Sequence, residues 1–307
     1  MPAVYASRRF PDRVRAELER SFDVSLHDSE WPPSREELLT GVAGKDGLMA
    51  MLSDRIDDEL LAAAGPQLRI VANYAVGVNN VDLEACRRRG VVVSNTPDVL
   101  TDATAELTIA LLLALVRRVA EGDRLVRRGE AWIWAPNLML GRGLQGLTLG
   151  LVGYGRIGTA VERLAVAHGM EVVHSSRSGG LPLEELLATA DVVSLHLPLT
   201  DESHHLIDAR RLELMKPTAV LVNASRGPIV DEAALVEALG AGRIAGAALD
   251  VFEHEPEVHP GLLGLENVVL VPHLGSATLE TREAMGMLCV EALRAVLLED
   301  RIPANAV

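Results

Sequence analysis

Six residues, Gly153-Tyr154-Gly155-Arg156-Ile157-Gly158, follow directly on an apolar run, Leu147–Val152, and open onto a helical pattern. Three glycines at this spacing, between a strand and a helix, are what a dinucleotide pyrophosphate requires. Gly153 permits the tight turn, Gly155 lets the backbone approach the phosphates, and Gly158 lets helix and strand pack closely. The free N–H groups of the helix N-terminus then hold the anion, with Arg156 and Ile157 in its first turn. A site for an unphosphorylated ribose places Asp or Glu about 20 residues further on. The segment there is His174-Ser175-Ser176-Arg177, which has no acid. Ser and Arg can bind a 2′-phosphate that an acid would repel, and Arg does so with a charge-assisted fork. The reading therefore predicts NADP(H) preference, with NAD(H) possible.

Three charged stretches close apolar runs in the last third of the chain. They are Asn223-Ala224-Ser225-Arg226-Gly227, Asp250-Val251-Phe252-Glu253-His254-Glu255-Pro256 and Val271-Pro272-His273. Ligands of open α/β sheets bind beyond the carboxyl ends of strands, so chemistry is expected at these three places. Metal chemistry is not. His204 and His205 are adjacent, and His254 and His259 lie five apart. None forms an i, i+4 pair with a carboxylate base, and Cys86 and Cys289 have no ligand spacing.

The elements that must position these residues read as alternating strands and helices. Strands are predicted at Ala3–Ala6, Gly47–Leu52, Leu68–Ala72 and Val91–Ser94, with helices at Asp12–Ser21 and Asp57–Gly65. A long helical pattern runs from Leu100 to Gly129, and a loop with Trp132 and Trp134 follows. Beyond the glycine loop, strands are predicted at Glu171–His174, Asp191–Leu195, Ala219–Asn223, Gly246–Leu249 and Val268–Val271, then a helix at Thr278–Glu299. Such alternation implies parallel βαβ units. The expected fold is α/β, with two Rossmann-like domains and the active site in the cleft between them. Residues 1–98 and 277–307 would form the substrate domain and residues 99–276 the cofactor domain.

Composition bounds the partners. The 307 residues carry a formal charge of −14, and only 3% are aromatic. Nucleic acid and anionic membranes need a basic face, and base stacking needs aromatics, so neither is an expected partner. The longest apolar run, LTIALLLALV from Leu107, is about half a membrane span. The N-terminal segment has no signal-peptide stretch, and two cysteines suit a reducing compartment, so a cytoplasmic location is expected.

At this level of detail the sequence resembles the D-isomer-specific 2-hydroxyacid dehydrogenases over nearly its whole length. The resemblance rests on the glycine loop, His196-Leu197-Pro198-Leu199-Thr200, the Asn-Ala-Ser-Arg-Gly segment, Asp250-Val251-Phe252 with Glu255-Pro256, and Pro272-His273, in the family's order and spacing. It implies that Arg226, Glu255 and His273 are catalytic. Protonated His273 would give the proton to the keto oxygen, Glu255 would favour and orient the imidazolium, and Arg226 would bind the substrate carboxylate and polarise the carbonyl. It also implies cofactor contacts at Thr104, Leu197, Pro198, Ala224, Ser225, Asp250, His273 and Gly275, beside the glycine loop and Ser175–Arg177. Asn73-Tyr74-Ala75-Val76-Gly77 resembles the family's substrate loop, where the N–H groups of Val76 and Gly77 would hold a carboxylate.

Two segments look like the glyoxylate and hydroxypyruvate reductases within that family. One is Gly47–Asp57, whose Leu52-Ser53 turn would line the substrate pocket. The other is Trp134-Ala135-Pro136, whose tryptophan would reach a partner subunit's pocket in a homodimer. Ser276, in His273-Leu274-Gly275-Ser276, matches them too. The segment after Arg177 is shorter than in many relatives. A small 2-keto or 2-hydroxy acid is the implied substrate. A larger or branched acid, lactate, phosphoglycerate, or a non-catalytic dinucleotide sensor on the same fold remain alternatives.

Overall fold

A computed structural model describes residues 1–307, and the chain divides into two compact units, Met1–Leu100 with Ala277–Val307, and Thr101–Ser276. The first unit holds five strands: β1 (Ala3–Ala6), β2 (Asp23–Leu26), β3 (Gly47–Ala50), β4 (Ile70–Asn73) and β5 (Val92–Ser94). Helices α1 (Asp12–Ser21), α2 (Arg35–Val42), α3 (Asp58–Ala64) and α4 (Leu83–Arg88) connect them. The sheet is parallel, in the order β2-β1-β3-β4-β5. Both β3 (GLMA) and β4 (IVAN) are buried at every residue, which is why their sequences run on without alternation. Three of these four helices begin where a side chain takes up a free N–H: Ser34, Asp57 and Asp82 accept from Glu37, Leu60 and Ala85. Each such cap is worth roughly 1 kcal/mol.

The second unit begins with α5 (Thr101–Val116) and α6 (Val119–Arg127). Its strands are β6 (Thr148–Val152), β7 (Glu171–Ser176), β8 (Gly179–Gly180), β9 (Val192–Leu195), β10 (Val220–Asn223), β11 (Gly246–Leu249) and β12 (Val268–Leu270). Its other helices are α7 (Arg156–Ala167), α8 (Leu183–Thr189), α9 (Ala209–Leu214), α10 (Glu232–Gly240) and α11 (Pro260–Leu263). The sheet order is β12-β11-β10-β9-β6-β7-β8, and only β8 runs antiparallel to its neighbour. The chain then returns to the first unit as α12 (Leu279–Leu297), which carries Met285, Cys289, Val290 and Leu293 into a core with Val4, Met49 and Ile70. Each sheet has an aliphatic core on both faces. No helix is long and apolar enough to cross a membrane.

In each sheet the order in which strands are added reverses once, and the loops flanking that reversal lie side by side at the carboxyl ends of two parallel strands. In the first sheet these loops follow β1 and β3. In the second they follow β6 and β9, which are the glycine loop and His196-Leu197-Pro198.

Three local features differ from the sequence reading. The pattern from Leu100 to Gly129 is two helices, not one. The Val116 carbonyl, which a continuing helix would offer to residue 120, accepts instead from Arg142 N at 2.9 Å. Arg118 then turns left-handed (φ 55°) and pairs with Glu121 in the first turn of α6. Strand β3 ends at Ala50, so Leu52 and Ser53 lie in a turn. Strand β2 is an edge strand with exposed Asp23 and three half-buried residues, and DVSL carries too little apolar signal to mark it.

Candidate functional site

The glycine loop joins β6 to α7. A Cβ at Gly153 (φ 93°) would lie 2.4 Å from the His196 carbonyl oxygen, and one at Gly158 would lie 2.6 Å from the Gly153 oxygen. Any larger residue would therefore separate β6, β9 and α7. A Cβ at Gly155 would meet nothing within 4 Å, and no side chain caps α7, whose N-cap is Gly155 itself. A helix N-terminus that no side chain caps, opening from a glycine with room beside it, fits an anion such as a pyrophosphate. The neighbouring His196 is neutral, because burial pushes its pKa down to about 4. Its Nε2 meets Ser194 Oγ at 2.8 Å, and its buried Nδ1 has no partner.

At the end of β7, the short segment that follows Ser176 folds straight back. Ser175 pairs with Gly180 and Ser176 with Gly179, so Arg177 and Ser178 form the tip of a two-residue hairpin. Ser176 Oγ bonds Ser178 Oγ and the Gly179 carbonyl, both at 3.0 Å. Arg177 is exposed at the tip. The compact hairpin puts a cation and three serines where the second strand of the domain ends.

The loops after β10, β11 and β12 are neighbours because those strands are adjacent in the sheet. Asn223 closes β10 and organises the first loop. Its Nδ2 donates to the Arg226 carbonyl (2.9 Å), and its Oδ1 accepts from Ser225 N (3.1 Å) and Ser225 Oγ (3.0 Å). Arg226 is half-buried, and burial lowers its pKa against the opposing charge of Glu255. Glu255 Oε2 lies 2.9 Å from His273 Nδ1, while its Oε1 accepts from Phe252 N at 3.0 Å. Burial pushes the Glu255 pKa up. The hydrogen bond and charge of His273, the Phe252 N–H and Arg226 outweigh that, so the carboxyl ends below its ordinary value. Both side chains remain about 30% exposed, which leaves the imidazole reachable.

His273 itself sits in left-handed backbone (φ 53°), a conformation that a non-glycine residue keeps only when its surroundings impose it. Asp250 imposes it. The Asp250 carbonyl accepts from His273 N (2.8 Å), and its two carboxylate oxygens accept from Leu274 N (2.5 Å) and Gly275 N (2.9 Å). Thr104 Oγ1 donates to the Gly275 carbonyl at 3.0 Å. Asp250 is almost fully buried, and desolvation raises its pKa despite those N–H groups and His273. The sequence reading gives Asp250, Thr104 and Gly275 to the cofactor; the structure shows them bonded to one another around the His273 turn. Ala224, Ser225, Leu197 and Pro198 lie on the same strand-end side of this unit, and Ser276 is its last residue.

In the first unit, the loops after β1 and β3 are fastened by a buried ion pair that the sequence reading missed. Arg8 Nη2 reaches Asp54 Oδ1 (3.0 Å) and Ser53 Oγ (2.8 Å), and Arg8 Nη1 donates to the Ser7 carbonyl (2.6 Å). Asp54 Oδ2 accepts from Met51 N (2.7 Å) and from Ser7 Oγ. Asn80 links this turn to the loop after β4, donating to the carbonyls of Met51 (3.1 Å) and Asp54 (3.0 Å) and to Asn73 Oδ1 (3.0 Å). Asn73 in turn donates to the Gly77 carbonyl (2.9 Å), and Asn95 to that of Val76 (2.8 Å). Leu52, Ser53, Val76 and Gly77 thus lie on two loops joined by Asn80. Arg8 and Asp54 gave no signal because they stand 46 residues apart.

Trp134 is not brought to either cluster. It is 86% exposed on the loop after α6, near exposed Trp132, Ile133, Leu138 and Leu140.

Residues 109–275 match the family model described as "D-isomer specific 2-hydroxyacid dehydrogenase, NAD binding domain". The glyoxylate reductase of Thermococcus onnurineus (strain NA1) is 48% identical, covering 95% of this chain and 92% of that protein. Among solved structures, the TT0316 protein from Thermus thermophilus is 50% identical with a TM-score of 0.94, over 99% of each chain. An NADPH-dependent glyoxylate/hydroxypyruvate reductase from Sinorhizobium meliloti, solved with NADP and malonate, is 34% identical with a TM-score of 0.84, over 100% of this chain and 96% of that one. A glycine loop shaped for a dinucleotide, a His–Glu pair beside an arginine, and near-full-length similarity agree: the chain belongs to the D-isomer specific 2-hydroxyacid dehydrogenase family and is an NAD(P)-dependent oxidoreductase.

Proposed function

We propose that this protein reduces a small 2-keto acid, glyoxylate or hydroxypyruvate, to the 2-hydroxy acid, with His273 as the proton donor. The observation that carries the proposal is the 2.9 Å contact between Glu255 Oε2 and His273 Nδ1 on the loop beside Arg226. With Nδ1 turned to Glu255, Nε2 is the nitrogen left to give its proton to the keto oxygen. The Glu255 anion compensates the positive imidazolium before the proton leaves. Arg226 meets the substrate carboxylate and the polarised carbonyl oxygen, where negative charge grows as reduction proceeds. Within the first unit, the N–H groups of Val76 and Gly77 and the Leu52–Ser53 turn are the groups suited to a substrate carboxylate. A bound nicotinamide dinucleotide supplies the hydride for C2. The names of similar proteins, glyoxylate reductase among them, support the choice of substrate.

For the cofactor we propose preference for NADP(H). Ser175, Ser176 and Arg177 would hold the 2′-phosphate at the hairpin tip, and Gly153, Gly155, Arg156, Ile157 and Gly158 would hold the pyrophosphate. The related reductase from Sinorhizobium meliloti, described as NADPH-dependent and solved with NADP, supports this. The exposed Trp132, Ile133, Trp134, Leu138 and Leu140 support a homodimer, since large apolar side chains grouped on one loop mark an interface. Buried, unpaired Cys86 and Cys289 suit a reducing cytoplasm.

Four outcomes check these readings. His273→Gln is expected to slow keto-acid reduction by about 10²–10⁴-fold with cofactor affinity retained; a rate near wild type would remove His273 from the chemistry. Glu255 has a lowered pKa, so its contact with His273 is present above the ordinary carboxylate value of ~4.3 and is lost only as pH falls below it. Reductive kcat/KM should therefore be free of an acid limb from Glu255 down to about pH 5. An acid limb near pH ~6 that vanishes in Glu255→Gln would contradict this. Arg177→Ala should cut the NADPH-over-NADH ratio of kcat/KM by about tenfold, the size of one charged hydrogen bond; an unchanged ratio would assign the 2′-end elsewhere. Sedimentation should give twice the chain's 32.9 kDa, and a monomer at micromolar concentration would refute the homodimer.

A further inference from the structure

We infer that Glu253, two residues before Glu255, is the positioning residue that sets Glu255 and Arg226 relative to one another. The inference rests on the reading of Arg226, Glu255 and His273 as the reacting set. Glu253 is absent from that set, yet its side chain and backbone bind three segments of the second unit together. Its Oε1 lies 2.6 Å from His205 Nε2, and its Oε2 accepts from Glu232 N at 3.2 Å. Its own N–H donates back to Glu232 Oε1 at 2.7 Å.

Each of these partners belongs to a segment with a stake in the site. Glu232 is the first residue of α10, and α10 follows the Arg226 loop after the short turn Gly227–Ile229. The Glu253 carboxylate thus sits on a free N–H at a helix N-terminus, where negative charge is favoured. Asp231 has already taken the N–H of Ala234, so the two acids divide the orphan donors between them. His205 ends the stretch that begins at Leu197 and Pro198, and its N–H donates to the Pro228 carbonyl at 2.8 Å. His205 holds left-handed backbone (φ 48°) and stacks on His204 with ring centroids 4.1 Å apart.

The close packing leaves little slack. A Cβ at Gly227 would lie 1.8 Å from the Phe252 carbonyl oxygen and 2.5 Å from Glu253 N. The backbone after Arg226 and the backbone before Glu255 are therefore in direct contact. Glu232 is buried, so its oxygen has no water to exchange for Glu253 N. Burial pushes the Glu253 pKa up, but His205 and the Glu232 N–H outweigh it and hold the carboxyl below its ordinary value. It is therefore an anion at neutral pH. Loss of this carboxylate would free the Phe252–Glu255 turn to move against the Arg226 loop. A displacement of about 1 Å at reacting groups can cost 10²-fold in rate.

The test uses the full chain with glyoxylate and with ordinary or 4-deuterated NADPH. Glu253→Ala should lower kcat per active site by roughly 10–100-fold. The cofactor dissociation constant should stay within about threefold, since the glycine loop and the β7 hairpin are untouched. The primary isotope effect on kcat should rise, because hydride transfer becomes the slower step. Glu253→Gln keeps one acceptor oxygen and should recover part of the rate. A purely structural role would lower the active fraction and the melting temperature while leaving kcat per active site and the isotope effect at wild-type values, and that result overturns the inference. If Glu253→Ala does not fold, Glu253→Gln and His205→Ala decide it: both must slow kcat and raise the isotope effect, and wild-type behaviour in both refutes the role. Failure of the underlying reading is separate, because it would show as wild-type reduction by His273→Gln.

Discussion

One hydrogen bond, from His273 to Glu255, sets the conditions that the second unit has to meet. A histidine can hold a proton for transfer when an anion faces one ring nitrogen and leaves the other open. That requires two loops from different strands to meet within 2.9 Å. Strands β11 and β12 are neighbours in a parallel sheet, so their carboxyl-end loops start side by side. The left-handed backbone at His273 then turns the imidazole toward Glu255, and the buried Asp250 holds that turn by three hydrogen bonds. The energy stored in one disfavoured backbone angle is offset by the hydrogen bonds that Asp250 accepts there.

The same reliance on backbone donors explains how an acidic protein accommodates anionic ligands. A net charge of −14 gives a field that repels a dinucleotide and a keto acid at long range. The attraction is local. It comes from N–H groups at the start of α7 that no side chain caps and from the half-buried Arg226. Aliphatic cores on both faces of each sheet keep these donors fixed in place, so they do not reorganise as charge develops. In the first unit, Arg8 illustrates the cost of that fixity. It is buried with Asp54, and such a pair is stable only when the remaining donors and acceptors are satisfied, here by Ser7, Ser53 and Met51.

Much of the fold was legible because the signals are local. GYGRIG after an apolar strand marks its turn by the three places where a Cβ does or does not fit, and β10 and β11 show as unbroken apolar runs because both faces of the sheet are covered. The break at Arg118 was not legible, because it depends on Arg142 taking the Val116 carbonyl from a distant loop. Edge strand β2 escaped because half of its surface needs no apolar residue. Three charged stretches stood out at strand ends by chain position, and within them the family resemblance marked Arg226, Glu255 and His273. Arg8, Asn80, Asn223 and Glu253 were not marked, because their importance lies in hydrogen bonds that only the folded chain brings together. Residue type and spacing report which groups are present to react. The groups that aim them are visible only once the chain has folded.

The central claim is that this site reduces a small 2-keto acid with a nicotinamide dinucleotide. Its most direct test is turnover of the purified protein on a panel of glyoxylate, hydroxypyruvate, pyruvate and branched 2-keto acids, each with NADPH and with NADH. The account predicts the highest kcat/KM for glyoxylate or hydroxypyruvate with NADPH. Cofactor binding without turnover of any 2-keto acid would contradict it.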